Sequence, residues 1–223
     1  MTSELFVIVA AHNEADRIAA TLAALSERFP GASLWVADDG SSDGTASLAE
    51  AAGATVVRSE SVIGKGGAVT LAARGALASR GSLALLCDGD LGRSAAGLGP
   101  LVEAVREGQA DVAVAAFSRR VGGGFGLAVG FARWAIRRRC GLAPRAPISG
   151  QRALTAQTLA RVLPLAHGFG MEIGMTIDAV RAGARVQEID LDLSHRATGK
   201  TLGGFLHRGR QLVDFVRVYR ARR

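Results

Sequence analysis

Four short apolar runs in the first part of the chain constrain its fold most, because each is followed by residues at helical spacing or by a turn. Leu5–Ala10, Ser33–Ala37, Ala54–Val57 and Ser82–Cys87 read as strands. Glu14–Ser26, Gly44–Ala52 and Lys65–Ser79 read as the helices between them, with Asn13 as N-cap of the first. Runs that stay apolar along their length are buried on both faces. Strands separated by helices therefore predict an α/β fold, with a mostly parallel, Rossmann-like central sheet and helices on both faces. Ligands of such sheets gather at the carboxyl ends of the strands.

The second half is less regular. A helix is expected over Ala95–Glu107, a strand over Asp111–Phe117 and a flexible break at Gly122–Gly124. A basic, apolar helix follows over Leu127–Arg139, then a loop bracketed by Pro144 and Pro147. Glu172–Ala182 reads as a helix, Arg185–Leu193 as a strand and Leu202–Arg220 as a long basic helix. No Pro/Ser-rich linker interrupts the 223 residues, so one domain is expected.

The net charge of +7 points to an anionic partner: nucleic acid, anionic lipid or a phosphorylated substrate. Aromatic residues are only 5% and are not interleaved with basic ones as in single-strand binders, so no nucleic-acid partner is expected. Two cysteines, Cys87 and Cys140, make no disulfide framework. The N-terminus goes straight into a strand pattern, and no apolar run reaches the roughly 18 residues of a membrane span. The expected location is cytoplasmic, or peripheral on the inner membrane face. For that second location, Leu127–Arg139 and Phe205–Arg223 mix apolar and cationic residues at helical spacing. Phe131 and Trp134 could enter a membrane interface while arginines meet anionic headgroups. A solvated face above a core-packing stripe is the plainer alternative.

The fourth apolar run ends in Asp88-Gly89-Asp90. Hard divalent cations, Mg²⁺ or Mn²⁺, take oxygen ligands and often bridge carboxylates to substrate phosphates. Two carboxylates at the end of a buried strand can hold a metal–diphosphate, although Asp and Gly also punctuate ordinary turns. The loops after the first two strands, His12-Asn13-Glu14 and Asp38-Asp39-Gly40-Ser41-Ser42-Asp43-Gly44-Thr45, fall on the same sheet edge. A carboxylate there can accept from the N–H of a nucleobase. Asp43 as a helix cap and Asp38 and Asp39 as builders of an Asx-turn are the structural alternatives.

Together with Gly64-Lys65-Gly66-Gly67-Ala68, these segments resemble, in order and spacing, the GT-A glycosyltransferases of the family 2 type. The resemblance covers nearly the whole chain. It implies a GT-A fold and a hexosyl transfer from a UDP- or GDP-linked sugar donor, expected to be inverting, with retention left open by the His195-Arg196 pair, which resembles that of a retaining relative. It places Ala10, His12 and Glu14 beside the nucleotide and Asp38 or Asp39 on the base. It brings Lys65 to the phosphates, and puts Asp90, helped by Asp88, on an Mg²⁺ or Mn²⁺ ion. The family usually has Pro where Ala10 stands and Tyr where His12 stands.

The second half is similar to the polyprenyl-phosphate sugar transferases of that family. Phe117-Ser118-Arg119-Arg120-Val121-Gly122-Gly123 resembles their Gly-Ser-Arg-Tyr-Val-x-Gly-Gly segment, which implies that Arg119, with Arg133, faces an acceptor phosphate. Pro147-Ile148-Ser149-Gly150 resembles their Asp-Pro-x-Ser-Gly, with Ala146 in place of the aspartate; Gly92 replaces a glutamine of some members. Gly168-Phe169-Gly170-Met171-Glu172 resembles Gly-Phe-x-x-Glu and makes Glu172 the candidate base for a hydroxyl acceptor. A helix-start carboxylate favoured by the dipole is the alternative for Glu172. Ser194–Thr201 resembles the closing Arg-x-x-Gly-x-Ser/Thr-Lys region. It implies Arg196 and Lys200 on the diphosphate, and His195 as a further metal ligand, as in glucosyl-phosphoglycerate synthases. The same segment nearly reads as a P-loop, but Ser194 stands where that loop needs Gly.

The halves are accordingly assigned as 1–92 for the nucleotide-sugar and 93–223 for a phosphorylated or lipid-phosphate acceptor. A homodimer is left open. Two other classes remain: a sugar-phosphate nucleotidyltransferase, which lacks support because Ala10–Glu14 is not a Gly-rich basic loop, and a non-catalytic nucleotide-sugar binder.

Overall fold

The computed structural model describes residues 4–79, 81–117, 126–192 and 213–222. Seven strands form one sheet: β1 (Leu5–Ala11), β2 (Ser33–Asp38), β3 (Thr55–Arg58), β4 (Leu83–Asp88), β5 (Val112–Phe117), β6 (Arg152–Thr155) and β7 (Val186–Leu191). Their order is β3-β2-β1-β4-β6-β5-β7. All neighbours run parallel except β6, which is antiparallel to both β4 and β5. The expected α/β class and its mostly parallel sheet are therefore present.

The helices are α1 (Ile18–Arg28), α2 (Thr45–Ala51), α3 (Lys65–Ala78), α4 (Gly99–Arg106), α5 (Leu127–Cys140), α6 (Ala156–Val162) and α7 (Met171–Arg181). A further helical segment covers 213–221. On one sheet face Ile18, Leu22 and Leu25 of α1 and Leu101, Val102 and Val105 of α4 pack over β1 and β4. On the other face Ala68, Ala72 and Ala76 of α3 and Met171 and Met175 of α7 do so. The alanines let α3 lie close to the sheet. Phe6, Val7, Ile8 and Val9 are all fully buried, which is why β1 reads as a continuous apolar run.

Three local expectations are corrected. The first helix begins at Ile18, with Arg17 as N-cap, not at Asn13. Asn13 sits at φ 56°, and its side-chain oxygen accepts from the Ser42 amide at 2.8 Å, so it is drawn to the neighbouring loop and cannot cap. The stretch expected as one helix from Ala95 is a 3-10 segment, Gly89–Leu98, followed by α4, with Pro100 in the first turn. β6 and α6 were not expected at all. β6 has four residues and carries a buried arginine, so it shows no apolar run.

Strand β6 brings a different part of itself to the ligand edge. Because it runs against its neighbours, Arg152 pairs with Leu86 and Val114, and the residues before it lie beside the end of β4. α7 is buried on two sides. Its Ile173 and Ile177 pack with Ala132 and Ile136 of α5 and with Phe215 and Val218 of the terminal segment. Arg222 forks onto Asp178 of α7, with Nε 2.8 Å from both carboxylate oxygens.

Candidate active site

The order of strands reverses between β1 and β4, where open α/β sheets hold their ligands. In register, Ala10 stands beside Asp88 and Ala11 beside Asp38. The loops after β1, β2 and β4 thus share one edge.

The first two loops are stitched together. The His12 ring, through Nδ1, donates to the Asp39 carbonyl at 2.8 Å, which leaves Nε2 as the acceptor nitrogen. The Asn13 amide donates to Ser41 Oγ at 2.9 Å, and the Glu14 amide to Thr45 Oγ1 at 2.8 Å. Asp43 accepts from Thr45, whose hydroxyl holds the exposed Asp43 carboxyl below its usual range.

The two adjacent aspartates differ. Asp38 is 0% exposed and Asp39 is 7%. Asp38 Oδ1 accepts from the Ser41 amide at 3.0 Å and from the Ser41 hydroxyl. Arg58 Nε lies 3.4 Å from Asp38 Oδ2, an ion-pair distance without hydrogen-bond geometry. Asp39 Oδ1 accepts from the Ile63 and Gly64 amides at 2.7 and 3.0 Å, so this carboxylate ties the β2 loop to the start of α3.

Lys65, first residue of α3, is the centre of the site. Its Nζ lies 2.6 Å from Asp88 Oδ1 and 2.9 Å from Glu172 Oε1. Burial alone would lower the pKa of this ammonium. The charges and hydrogen bonds of Asp88 and Glu172 outweigh burial and raise it above the ordinary lysine value. Close packing makes the contact available: a Cβ on Gly66 would lie 1.8 Å from the Ala166 carbonyl oxygen, so α3 can touch the 166–170 turn only with glycine there. That turn leads directly into α7, whose second residue is Glu172.

Asp90 is half-buried in the 3-10 segment, and Arg17 donates to its backbone carbonyl at 3.1 Å. Burial first, then the negative charges of Asp88 and Asp90, raise the pKa of the Cys87 thiol, which stays protonated. Among the described residues no three His, Cys, Asp or Glu side chains form a cluster that could hold a metal by themselves. A hard divalent cation takes carboxylate oxygens of the kind Asp88 and Asp90 carry and can complete its shell from a diphosphate and water. The expected residues Arg119, His195, Arg196 and Lys200 lie outside the described residues. Arg133 is exposed and donates to the Pro144 and Arg145 carbonyls at 2.9 and 3.2 Å.

Two residues that sequence reading had not singled out join the cluster. Gln151 Nε2 donates to Asp88 Oδ2 at 2.8 Å. Arg152, fully buried, donates from Nε to the Ser149 carbonyl and from Nη1 to Thr176 Oγ1. Burial lowers its pKa to about 10, against the pull of Glu172 and Glu188. A charged residue inside a stretch otherwise destined for the core is the only signal that marked it.

A reversal point, an acidic strand end and a lysine between carboxylates define a sheet built to receive a charged ligand at one edge, and the fold is GT-A. Residues 6–140 match the model of glycosyl transferase family 2, and the chain belongs to that family. It is a glycosyltransferase. An undecaprenyl-phosphate mannosyltransferase of Micrococcus luteus is 29% identical over 232 residues, covering 96% of this chain and 93% of the relative. Among solved structures, glucosyl-3-phosphoglycerate synthase of Mycobacterium tuberculosis with Mn²⁺, uridine diphosphate and phosphoglyceric acid superposes with TM-score 0.76 at 26% identity. That match covers 97% of this chain and 78% of the synthase. The same enzyme with Mn²⁺, UDP-glucose and glycerol 3-phosphate gives TM-score 0.75 at 26% identity, covering 97% and 80%.

Proposed function

We propose that the chain transfers a sugar from a UDP- or GDP-linked donor to an anionic acceptor, with Mg²⁺ or Mn²⁺ as cofactor. The observation that carries this reading is Lys65 between Asp88 and Glu172 at the point where strand order reverses. Asp88 and Asp90 would hold the ion, which when bound neutralises charge on the departing diphosphate. Lys65 adds a positive charge beside the phosphates. His12, Glu14 and Asp39 border the nucleotide. Asp38, fully buried, shapes the loop through Ser41 and does not itself meet the base. The acceptor oxygen forms its bond to the anomeric carbon from the face opposite the leaving diphosphate, which takes the electron pair of the broken bond. Configuration is thereby inverted. Glu172 takes the proton of a hydroxyl acceptor; an ionised phosphate acceptor needs no base.

We assign 1–92 to the donor and 93–223 to the acceptor, with Arg119 on the acceptor phosphate, Arg196 and Lys200 on the diphosphate, and His195 on the ion. A polyprenyl phosphate is the favoured acceptor, because the surface of α5 suits a lipid interface. Trp134 is 49% exposed, its ring 4.8 Å from Tyr219 and 5.5 Å from Phe131. Arg139 lies 3.7 Å over the Tyr219 ring, with Arg137 and Arg138 beside it in the last turn of α5. No helix among the described residues is long and apolar enough to cross a membrane. A small phosphorylated metabolite is the second reading, supported by the synthase complexes with phosphoglyceric acid.

The test is product formation from UDP- and GDP-sugars with Mn²⁺, offered undecaprenyl phosphate in detergent or 3-phosphoglycerate. Asp90→Ala should abolish turnover and keep the wild-type melting curve. Undiminished transfer by that variant in EDTA, or no transfer to either acceptor, refutes the reading.

A further inference from the structure

Two of the groups that hold Asp88 differ widely in freedom. On Oδ2 the partner is Gln151, only 3% exposed and followed by the anchored Arg152. The backbone here is tight: a Cβ on Gly150 would lie 2.5 Å from Lys65 Nζ and 2.9 Å from Asp88 Oδ2. On Oδ1 the partner is Lys65, at the end of a flexible four-carbon stem whose side chain is 26% exposed. A divalent ion binds a carboxylate oxygen at about 2.1 Å. On Oδ1 it would approach an ammonium already 2.6 Å from the same atom, and two cations at that range repel strongly.

We propose that Gln151 is a positioning residue that keeps Asp88 fixed for the ion, while Lys65 is an exchangeable cation, so that ion and donor diphosphate load together. The inference rests on the function proposed above. In the resting site the ammonium bridges Asp88 and Glu172 and offsets part of their negative charge. On loading, Asp88 would hold the ion in place of the ammonium, and Lys65 would turn its ammonium to the diphosphate. No covalent bond changes. Whichever ligand arrives first must break the Lys65–Asp88 contact, and the second finds it already broken. A cost shared in this way appears as positive coupling between the two ligands. Glu172 loses its ammonium partner only once donor is bound, so it becomes available to an acceptor at that stage alone.

Calorimetric titrations of Mn²⁺ alone, of UDP or GDP alone, and of each with the other present test this in wild type, Lys65→Met and Gln151→Leu. In Lys65→Met, Mn²⁺ alone should bind more tightly and nucleotide alone more weakly. The factor by which each ligand strengthens the other should fall about tenfold, within the range of about 5- to 150-fold typical of coupled sites. In Gln151→Leu, Mn²⁺ affinity should fall about 10- to 100-fold, as for groups that orient metal ligands, with nucleotide binding in EDTA unchanged. A coupling factor in Lys65→Met within twofold of wild type overturns the exchange. Wild-type Mn²⁺ affinity in Gln151→Leu overturns the positioning role and decides the matter should Lys65→Met fail to fold. A wild-type protein that binds neither Mn²⁺ nor nucleotide sinks the proposed function itself.

Discussion

Gly66→Ala separates two physical effects of opposite sign. Within a helix, alanine is intrinsically more favourable than glycine by about 1 kcal/mol, so propensity alone predicts stabilisation. Packing predicts the reverse. The new Cβ would lie 1.8 Å from the Ala166 carbonyl oxygen, and contacts under 3.0 Å are essentially never tolerated. The obstructing atom is backbone, so no rotamer change relieves it, and the 166–170 turn must retreat by more than an ångström. Overpacking of this kind costs about 1–3 kcal/mol. After the propensity gain the net is a destabilisation of up to about 2 kcal/mol, or a melting temperature up to about 8 °C lower for a domain of this size. The same retreat draws Glu172 away from Lys65, now 2.9 Å apart. A displacement near 1 Å at a reacting group costs about 100-fold in rate. Turnover should therefore fall far more than the small stability loss explains. Scanning fluorimetry with steady-state kinetics on the pure variant reads both. A melting temperature equal to or above wild type with undiminished kcat/KM would refute the packing argument and the placement of Glu172 with it.

Asp178→Ala removes the fork that fastens Arg222 to α7, whose Nη2–Oδ2 distance is 2.5 Å. Loss of a charged, partly buried hydrogen-bonded pair should cost about 2 kcal/mol, and limited proteolysis should then cut near the C-terminus before the sheet. Protection equal to wild type would contradict it. Lys65 supplies a pH prediction. Its folded pKa is raised, so the ammonium is fully charged below its unfolded value of about 10.5 and is lost only above that. Donor KM should consequently show no alkaline limb from Lys65 up to about pH 9.5; a KM that rises steeply between pH 8 and 9 in wild type, and is flat in Lys65→Arg, would count against it.

The donor half was the most legible part of the chain. β1 and β4 are buried on both faces, as is the second half of β2, so their apolar runs stand out without any tertiary knowledge. The acidic end of β4 and the Lys65 segment are local strings, and the structure sets Lys65 against Asp88. What stayed hidden is non-local. Lys65 and Glu172 are 107 residues apart, and nothing in either neighbourhood announces the other. Asn13 looked like a helix cap because its competitor for hydrogen bonding, Ser42, lies on a different loop. β6 escaped because a four-residue strand with a buried arginine breaks the hydrophobic pattern by which strands are found. Of the adjacent aspartates, sequence could not say which is interior; Ser41 folding back onto Asp38 decides it.

The reversed direction of β6 has a consequence for how such an enzyme can diversify. In an all-parallel sheet every strand delivers its last residues to the ligand edge. Here one strand delivers the residues that precede it, and these belong to a connection arriving from α5 rather than from the donor half. Changes in that connection can remodel what stands opposite the sugar donor while β1, β2 and β4 keep their sequence. On the proposed function, a lineage or a protein engineer could therefore retune acceptor preference from residues 141–149, provided Gly150 and Gln151, which abut Lys65 and Asp88, are kept.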